Sequence, residues 1–414
     1  MVNRLHCKAL IFLFLFTYTT SYWSVFGEFN EKEKFVTIQI YLHWVPEIED
    51  LRFIADAVHS RGLKATWYVP PTSDMGMKSE VAAQLKEYQL KYNDDIQLSF
   101  SQLAFFNLWP PKSRERFIGH TMLLFKRLFG YYPKLICAPY IDAFSLQYIT
   151  TNFPSVKGGV VFCNHEVLCD YLESKGGYYM PYYPSKFNTM VPAVGDEKLD
   201  FVAMPFIMRD LTNCIKEQTV VYNLNPQDYL IAIDRGAELP DRPIYFSKLF
   251  DAYINGWDEY GLVTYMVVVP FTYEVFESPC KELFLAELDY IKSRTSQDCK
   301  NILDSEFIDW FRSRFSDSPS YRWRYRDPKG SGEIYDWFFN PQKRSGYIDG
   351  KHFETRAYTH YNYEPCYNTS LQYYRNNMEL SQPIYYSLPI INPNPSLLDF
   401  FDKSSQHNPF MPWN

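Results

Sequence analysis

From Phe35 to Val269 the chain alternates short apolar, β-branched runs with segments whose apolar residues recur at helical spacing. That alternation constrains the fold more than any other feature. Phe35 to Leu42 (FVTIQIYL) reads as a buried strand, and Leu51, Ile54, Ala55 and Val58 mark a helix opened by Glu49 and Asp50 and stopped by Gly62. Further strands are expected at Leu63–Val69, Ile96–Phe100, Leu135–Pro139, Gly159–Cys163, Phe201–Ile207 and Leu262–Val269. Helical faces separate them, at Val81 to Tyr92, Phe117 to Leu128, after Asp142 and from Tyr245 to Glu259. Strands separated by helices pair in parallel, and strands read as apolar on both faces belong to an α/β barrel ringed by helices. Two more helices, at Cys280 to Arg294 and Ser305 to Phe315, would complete that ring.

Past Asp317 the texture changes. RWRY (322–325), IYDWFF (334–339) and HFETRAYTHY (352–361) are short alternating segments, set apart by Asp327-Pro328-Lys329-Gly330 and Asp349-Gly350. They predict a small all-β, sandwich-like domain over 317–394, separable from a barrel over 35–316, with protease cutting between Phe315 and Asp327. Residues 395–414 carry prolines and no periodicity and read as an irregular tail. At the other end, Arg4 and Lys8 precede an uncharged stretch from Ala9 to Phe26. This has the layout of a signal peptide over 1–27, or of an uncleaved anchor, and either places the folded part outside the cytosol. Membrane contact is expected only for the anchor.

Cys7 lies in that leader, and the remaining cysteines of the eight are odd in number, so at least one thiol is unpaired within the chain. Cys280 and Cys299 bracket one predicted helix and a turn and form the preferred disulfide, with Cys163–Cys169 as a second candidate. Asn368-Thr369-Ser370 is the acceptable glycosylation sequon. A net charge of −7 removes the electrostatic basis for nucleic-acid binding. The chain has no Walker loop, G-x-G-x-x-G, H-E-x-x-H or C-x-x-C, so nucleotide-dependent chemistry and the common zinc sites are not expected.

Leu51 to Val69 (LRFIADAVHSRGLKATWYV), Tyr92 to Phe105 and Phe129 to Ile141 (FGYYPKLICAPYI) resemble successive motifs of the polysaccharide deacetylases, carbohydrate esterase family 4, of the glycoside hydrolase/deacetylase barrel superfamily. The resemblance continues to the helix around Trp310 and implies a distorted (β/α) barrel acting on carbohydrate through a bound metal. It also places that family's functional positions. An aspartate pair should end the first strand, where this chain has Tyr41-Leu42-His43-Trp44. A metal-binding H-x-x-x-H should fall near Ser99 and Leu103, an arginine at Cys137 and a late histidine near Val269. Each difference removes a charge or a ligand, and a hydrolytic site needs about three protein ligands and an open position. No metal or other cofactor, and no metal-dependent deacetylation, is therefore expected.

In such barrels ligands bind at the C-terminal ends of the strands. Trp44, Tyr68, Tyr140 and the segment Tyr178 to Ser185, with Tyr182 and Tyr183, offer stacking faces for a sugar in a chain with 35 Tyr, 33 Phe and 9 Trp. Asn164, His165 and Glu166 offer hydrogen bonds, and His165, Glu166, Asp142 and Asp210 are candidate acids or bases. Asp142 doubles as a helix N-cap, and Asp210 as a rim partner of Arg209. Three readings result: a secreted barrel without the family's activity that binds a glycan or another partner, a carbohydrate hydrolase using relocated carboxylates, and a structural envelope component. The absent ligands favour the first.

Overall fold

The computed structural model describes residues 32–357, except 43–47, 71–78, 101–110, 139–140, 162–177, 188, 190, 206, 218–220, 227–239 and 270–279. The first half runs β1 (Lys34–Leu42), α1 (Ile48–His59), β2 (Thr66–Val69), α2 (Ser79–Tyr92), β3 (Asp95–Ser99), α3 (Pro111–Phe129), β4 (Leu135–Cys137), α4 (Ala143–Asn152), β5 (Gly158–Val160) and β6 (Val202–Met204). It continues through α5 (Leu211–Glu217), α6 (Arg242–Asn255), β7 (Gly261–Val269), α7 (Cys280–Thr295), the two-residue β8 (Lys300–Asn301) and α8 (Asp304–Arg314). Four strands follow, β9 (Tyr321–Arg326), β10 (Ile334–Asn340), β11 (Lys343–Ile348) and β12 (Lys351–Ala357).

The first sheet is parallel throughout, in the order β6-β5-β4-β3-β2-β1-β7, with β8 added beside β1. It curls into a half-barrel with helices outside. The two faces of β2 identify inside and outside. Trp67 points out, donating from Nε1 to Asp94 at 2.7 Å and stacking on Tyr88 of α2. Thr66 and Tyr68 therefore point in. The expected ring is altered in one respect: α8 lies across the N-terminal edge of the sheet rather than beside it. Lys64, just before β2, pairs with Glu306, Lys134 before β4 with Asp309, and Asp200 before β6 with Arg312. Such exposed pairs contribute little each. The apolar contact decides the position: a Cβ on Gly158 would stand 2.3 Å from Ile308 Cδ1, so β5 is bare where α8 presses on it.

The second sheet is antiparallel, in the order β12-β11-β10-β9. Its last hairpin turns on Asp349 (φ 48°) and Gly350 (φ 76°), the geometry an Asp-Gly pair favours. Alternate residues of β9 and β10, Tyr321, Trp323, Tyr325, Tyr335, Trp337 and Phe339, are buried against α5 and α6 in a core continuous with that of the barrel. Trp323 stacks on Trp257 with centroids 4.9 Å apart and planes within 2°. Across the same contact Trp337 Nε1 donates to Thr212 Oγ1 at 2.9 Å and Trp323 Nε1 to the Ala252 carbonyl at 3.0 Å. Among the described residues the expected C-terminal β unit is one antiparallel sheet, and its buried face packs on α5 and α6 of the barrel.

Candidate functional site

The parallel order places the C-terminal ends of β1 to β7 on one edge. The residues at those ends include Leu42, Val69, Ser99, Cys137, Val160, Met204 and Val269. Behind that edge the interior is polar, where the sequence reading had the strands apolar on both faces. Paired residues of a parallel ladder share a face, so Gln39–Thr66–Asp95 and Tyr41–Tyr68–Gln97 form two inward rows, with Thr37–Thr264 and Ser99–Cys137 beside them. Alternation of Thr37, Gln39 and Tyr41 within an otherwise aliphatic strand was the signal available in the sequence.

The interior converges on Asp304, the first residue of α8, which is fully buried. Its amide donates to Thr66 Oγ1 at 3.0 Å and its Oδ2 accepts from Tyr68 Oη at 2.7 Å. Thr37 and Gln39 lie against the same carboxyl and favour its charged form, yet neither closes a well-formed hydrogen bond with it. Asp304 Oδ1, Thr37 Oγ1 and both polar atoms of the Gln39 amide have no partner among the described residues. Burial dominates and raises the Asp304 pKa from 3.8 to about 6. The cluster is thus a sealed acid with spare hydrogen-bonding capacity, suited to holding a proton or an ordered water. Cys137 beside it is also buried, and desolvation raises its pKa, which keeps it a thiol rather than a nucleophilic thiolate.

A folded-state pKa above the unfolded one means the native protein binds the extra proton, so this group's contribution to stability falls as pH rises from about 4 to about 6. Asp304→Asn keeps an acceptor for Tyr68 and removes the ionisation. Its stability relative to wild type should improve between pH 4.5 and 7.5 by an amount on the order of 2–3 kcal/mol. Urea unfolding at the two pH values measures this, and an unchanged difference would refute it.

The described sequence candidates are held apart by separate structural partners. Tyr68 is a buried ring bonded to Asp304 and presents no open face. Asp142 is the N-cap of α4, accepting from the Ser145 amide at 2.8 Å, and its other oxygen pairs with buried Arg114 of α3. Asp210 accepts from Asn213 Nδ2 at 2.7 Å and from the Tyr245 and Tyr325 hydroxyls at 3.1 Å each, so it anchors the second sheet. Burial raises its pKa to about 6. The stretch 178–185, expected as a sugar platform or lid, covers a sheet edge instead. Tyr182 exchanges backbone hydrogen bonds with Ala203 of β6, and an uncovered edge strand would leave such groups unpaired. The Tyr182 and Tyr183 hydroxyls donate inward to the carbonyls of Thr189 and Phe315, both at 2.7 Å.

The Cys280–Cys299 pairing is also corrected. Cys299 is a free buried thiol 3.3 Å from Asp298 Oδ1, and α7 rises about 1.5 Å per residue between the two positions, carrying them apart. Residues 1–27, Trp44, Leu103, Tyr140, Cys163, Asn164, His165, Glu166, Cys169 and Asn368 lie outside the described residues. Among the described residues no group of three or more His, Cys, Asp or Glu is gathered to hold a metal, and no helix is long and apolar enough to cross a membrane.

A curled parallel sheet with outer helices and a strand-end edge that faces away from α8 defines an open (β/α) barrel. Among solved structures the fold is similar to a protein of Parabacteroides distasonis provisionally assigned as a glycoside hydrolase/deacetylase, with TM-score 0.61, 17% identity, 79% of this chain and 84% of that one covered. Weaker likenesses include a provisionally assigned polysaccharide deacetylase of Pseudomonas aeruginosa (TM-score 0.45, 7% identity, 68% and 92% covered) and one of Mycobacterium smegmatis (0.44, 11%, 70% and 93%). The chain belongs to the DUF3863 family, a domain of unknown function with a solved structure, whose profile matches residues 44–334. No curated protein matches it.

Proposed function

We propose that this protein is an exported deacetylase-like barrel that has lost metal-dependent deacetylation and binds a neutral or amino sugar at the C-terminal edge of its strands. The observation that carries the reading is the chemistry at four strand ends. Where the deacetylases hold metal and catalytic side chains, β1, β3, β4 and β7 end on Leu42, Ser99, Cys137 and Val269. With His43 beside Leu42 as the one imidazole, one hydroxyl and one protonated thiol, these positions offer fewer than the three good ligands a divalent hydrolytic metal needs. Asp142 and Asp210 serve the scaffold, which weakens the alternative of a hydrolase using relocated carboxylates. In the sequence Trp44 stands two residues after β1 and Tyr140 three after β4, which supports assigning them as stacking faces, with Asn164, His165 and Glu166 as the hydrogen-bonding groups. A negative net charge disfavours polyanionic glycans.

A glycan array on the exported protein should return neutral or amino sugars. Trp44→Ala or Tyr140→Ala should weaken that binding by roughly 1–2 kcal/mol, about tenfold. Metal analysis of the same preparation should find no stoichiometric transition metal, and one tightly held ion per chain would overturn the proposal.

A further inference from the structure

Around Asp304 the inner face of the half-barrel carries buried polar atoms that no other described residue satisfies: Asp304 Oδ1, Thr37 Oγ1 and both ends of the Gln39 amide. Thr37 and Asp304 are fully buried, and Gln39 is 1% exposed. Thr37 and Gln39 stand two positions apart on β1, so both point into the barrel. Asp304 meets them from α8, held by the bond from its amide to Thr66 Oγ1 and by the Tyr68 hydroxyl on Oδ2. Both β1 side chains lie against its carboxyl without closing a hydrogen bond to it. A polar contact too long for direct bonding is the geometry in which a water sits between.

Buried polar groups are nearly always paired, and leaving this set dry would cost a large share of a domain's stability. The groups themselves define their partner. Asp304 Oδ1 needs a donor, the Gln39 amide presents a donor at one end and an acceptor at the other, and the Thr37 hydroxyl serves as either. The Tyr68 hydroxyl is already committed to Asp304 Oδ2. Three side chains supply at most three oxygens, whereas calcium takes six to eight and magnesium a full octahedron. A halide would meet the carboxyl as a like charge, and an ammonium ion can only donate. Water both donates and accepts, and a buried water makes about three hydrogen bonds.

We infer that a single ordered water is bound inside the barrel here, donating to Asp304 Oδ1 and bonded to Thr37 Oγ1 and to the nearer end of the Gln39 amide. It joins the first turn of α8 to β1, the strand that pairs with both β2 and β7. The water is thus a structural ligand that fixes the helix lying across the N-terminal edge of the sheet. It lies away from the strand-end edge and is independent of the sugar-binding proposal.

Thr37→Val is the test, because valine keeps the shape and the β-branching and removes the hydroxyl. With a water held by Thr37, the variant should raise the unfolding equilibrium constant roughly fivefold in urea, the size of one lost hydrogen bond. A hydroxyl that is merely unsatisfied predicts the opposite sign, so unchanged or improved stability would overturn the inference. A high-resolution crystal structure of the full chain gives a second readout that does not depend on the variant. It should show a solvent peak within hydrogen-bond distance of Asp304 Oδ1, Thr37 Oγ1 and the Gln39 amide. Side chains closed directly on one another with no peak between them would overturn the inference. So would a saturable stabilisation by sodium or potassium over choline chloride, which would make the occupant a cation.

Discussion

Replacing Trp323 with alanine is expected to destabilise the protein by about 4 kcal/mol, within the range of large aromatic deletions from packed cores. The ring is fully buried. It stacks on Trp257 at 4.9 Å and lies 4.6 Å from Tyr253 and 4.2 Å from Tyr325, centroid to centroid. Its Nε1 also donates to Ala252, so truncation leaves both a cavity and a buried carbonyl short of one donor. A loss of this size is a large fraction of the 5–15 kcal/mol typical of whole domains. Because the two sheets share this core, the loss should appear as one transition. Tryptophan fluorescence and far-ultraviolet circular dichroism should shift together in denaturant, with Trp323→Phe falling between the variant and wild type. A barrel transition left at the wild-type midpoint while only the second sheet melts early would show that the sheets are separate units.

A second large effect is expected from one methyl group at Gly159. Its φ of +144° lies where side chains are strongly disfavoured, and an added Cβ would fall 1.9 Å from the carbonyl oxygen of Ile136 on the adjacent β4. The obstacle is the backbone of a neighbouring strand, which cannot move aside without breaking the ladder. Gly159→Ala should cost more than about 4 kcal/mol or abolish soluble expression. Gly130→Ala is the matched control. Gly130 also has positive φ, +90°, but its Cβ would meet nothing within 4 Å, so strain alone should cost about 1 kcal/mol. Melting temperatures measure the contrast. Equal shifts for the two variants would mean that β4 and β5 do not approach so closely.

The sequence alone determined the element order. Strand and helix are recorded in periodicities of two and 3.6 residues, which depend on the backbone and so survive without tertiary context. The β-branched run Phe35 to Leu42 marks β1, and Asp142 marks the cap of α4. Asp349-Gly350 marked the turn of the last hairpin because that dipeptide tolerates positive φ at both positions. The switch of texture after Asp317 fell four residues before β9. The barrel was legible in the strand–helix alternation, and the deacetylase resemblance added that it is a distorted one.

Only the tertiary structure decided which polar residues meet. Tyr68 and Asp304 are 236 positions apart, and nothing near either one announces the bond between them. Asp210 read as a possible acid at a strand end, and became an anchor because Tyr325, 115 positions later, folds over it. Residues 178–185 offer stacking faces for a sugar as a sequence, and the fold buries them along the β6 edge, where Tyr182 pairs with Ala203. The helix at α8 was legible, but its place across the bottom of the barrel was not, since that depends on bare Gly158 admitting Ile308 from 150 residues away. Periodicity fixes what each segment is, whereas partners are chosen by burial and hydrogen-bond satisfaction summed over the whole chain, and no local window contains that sum.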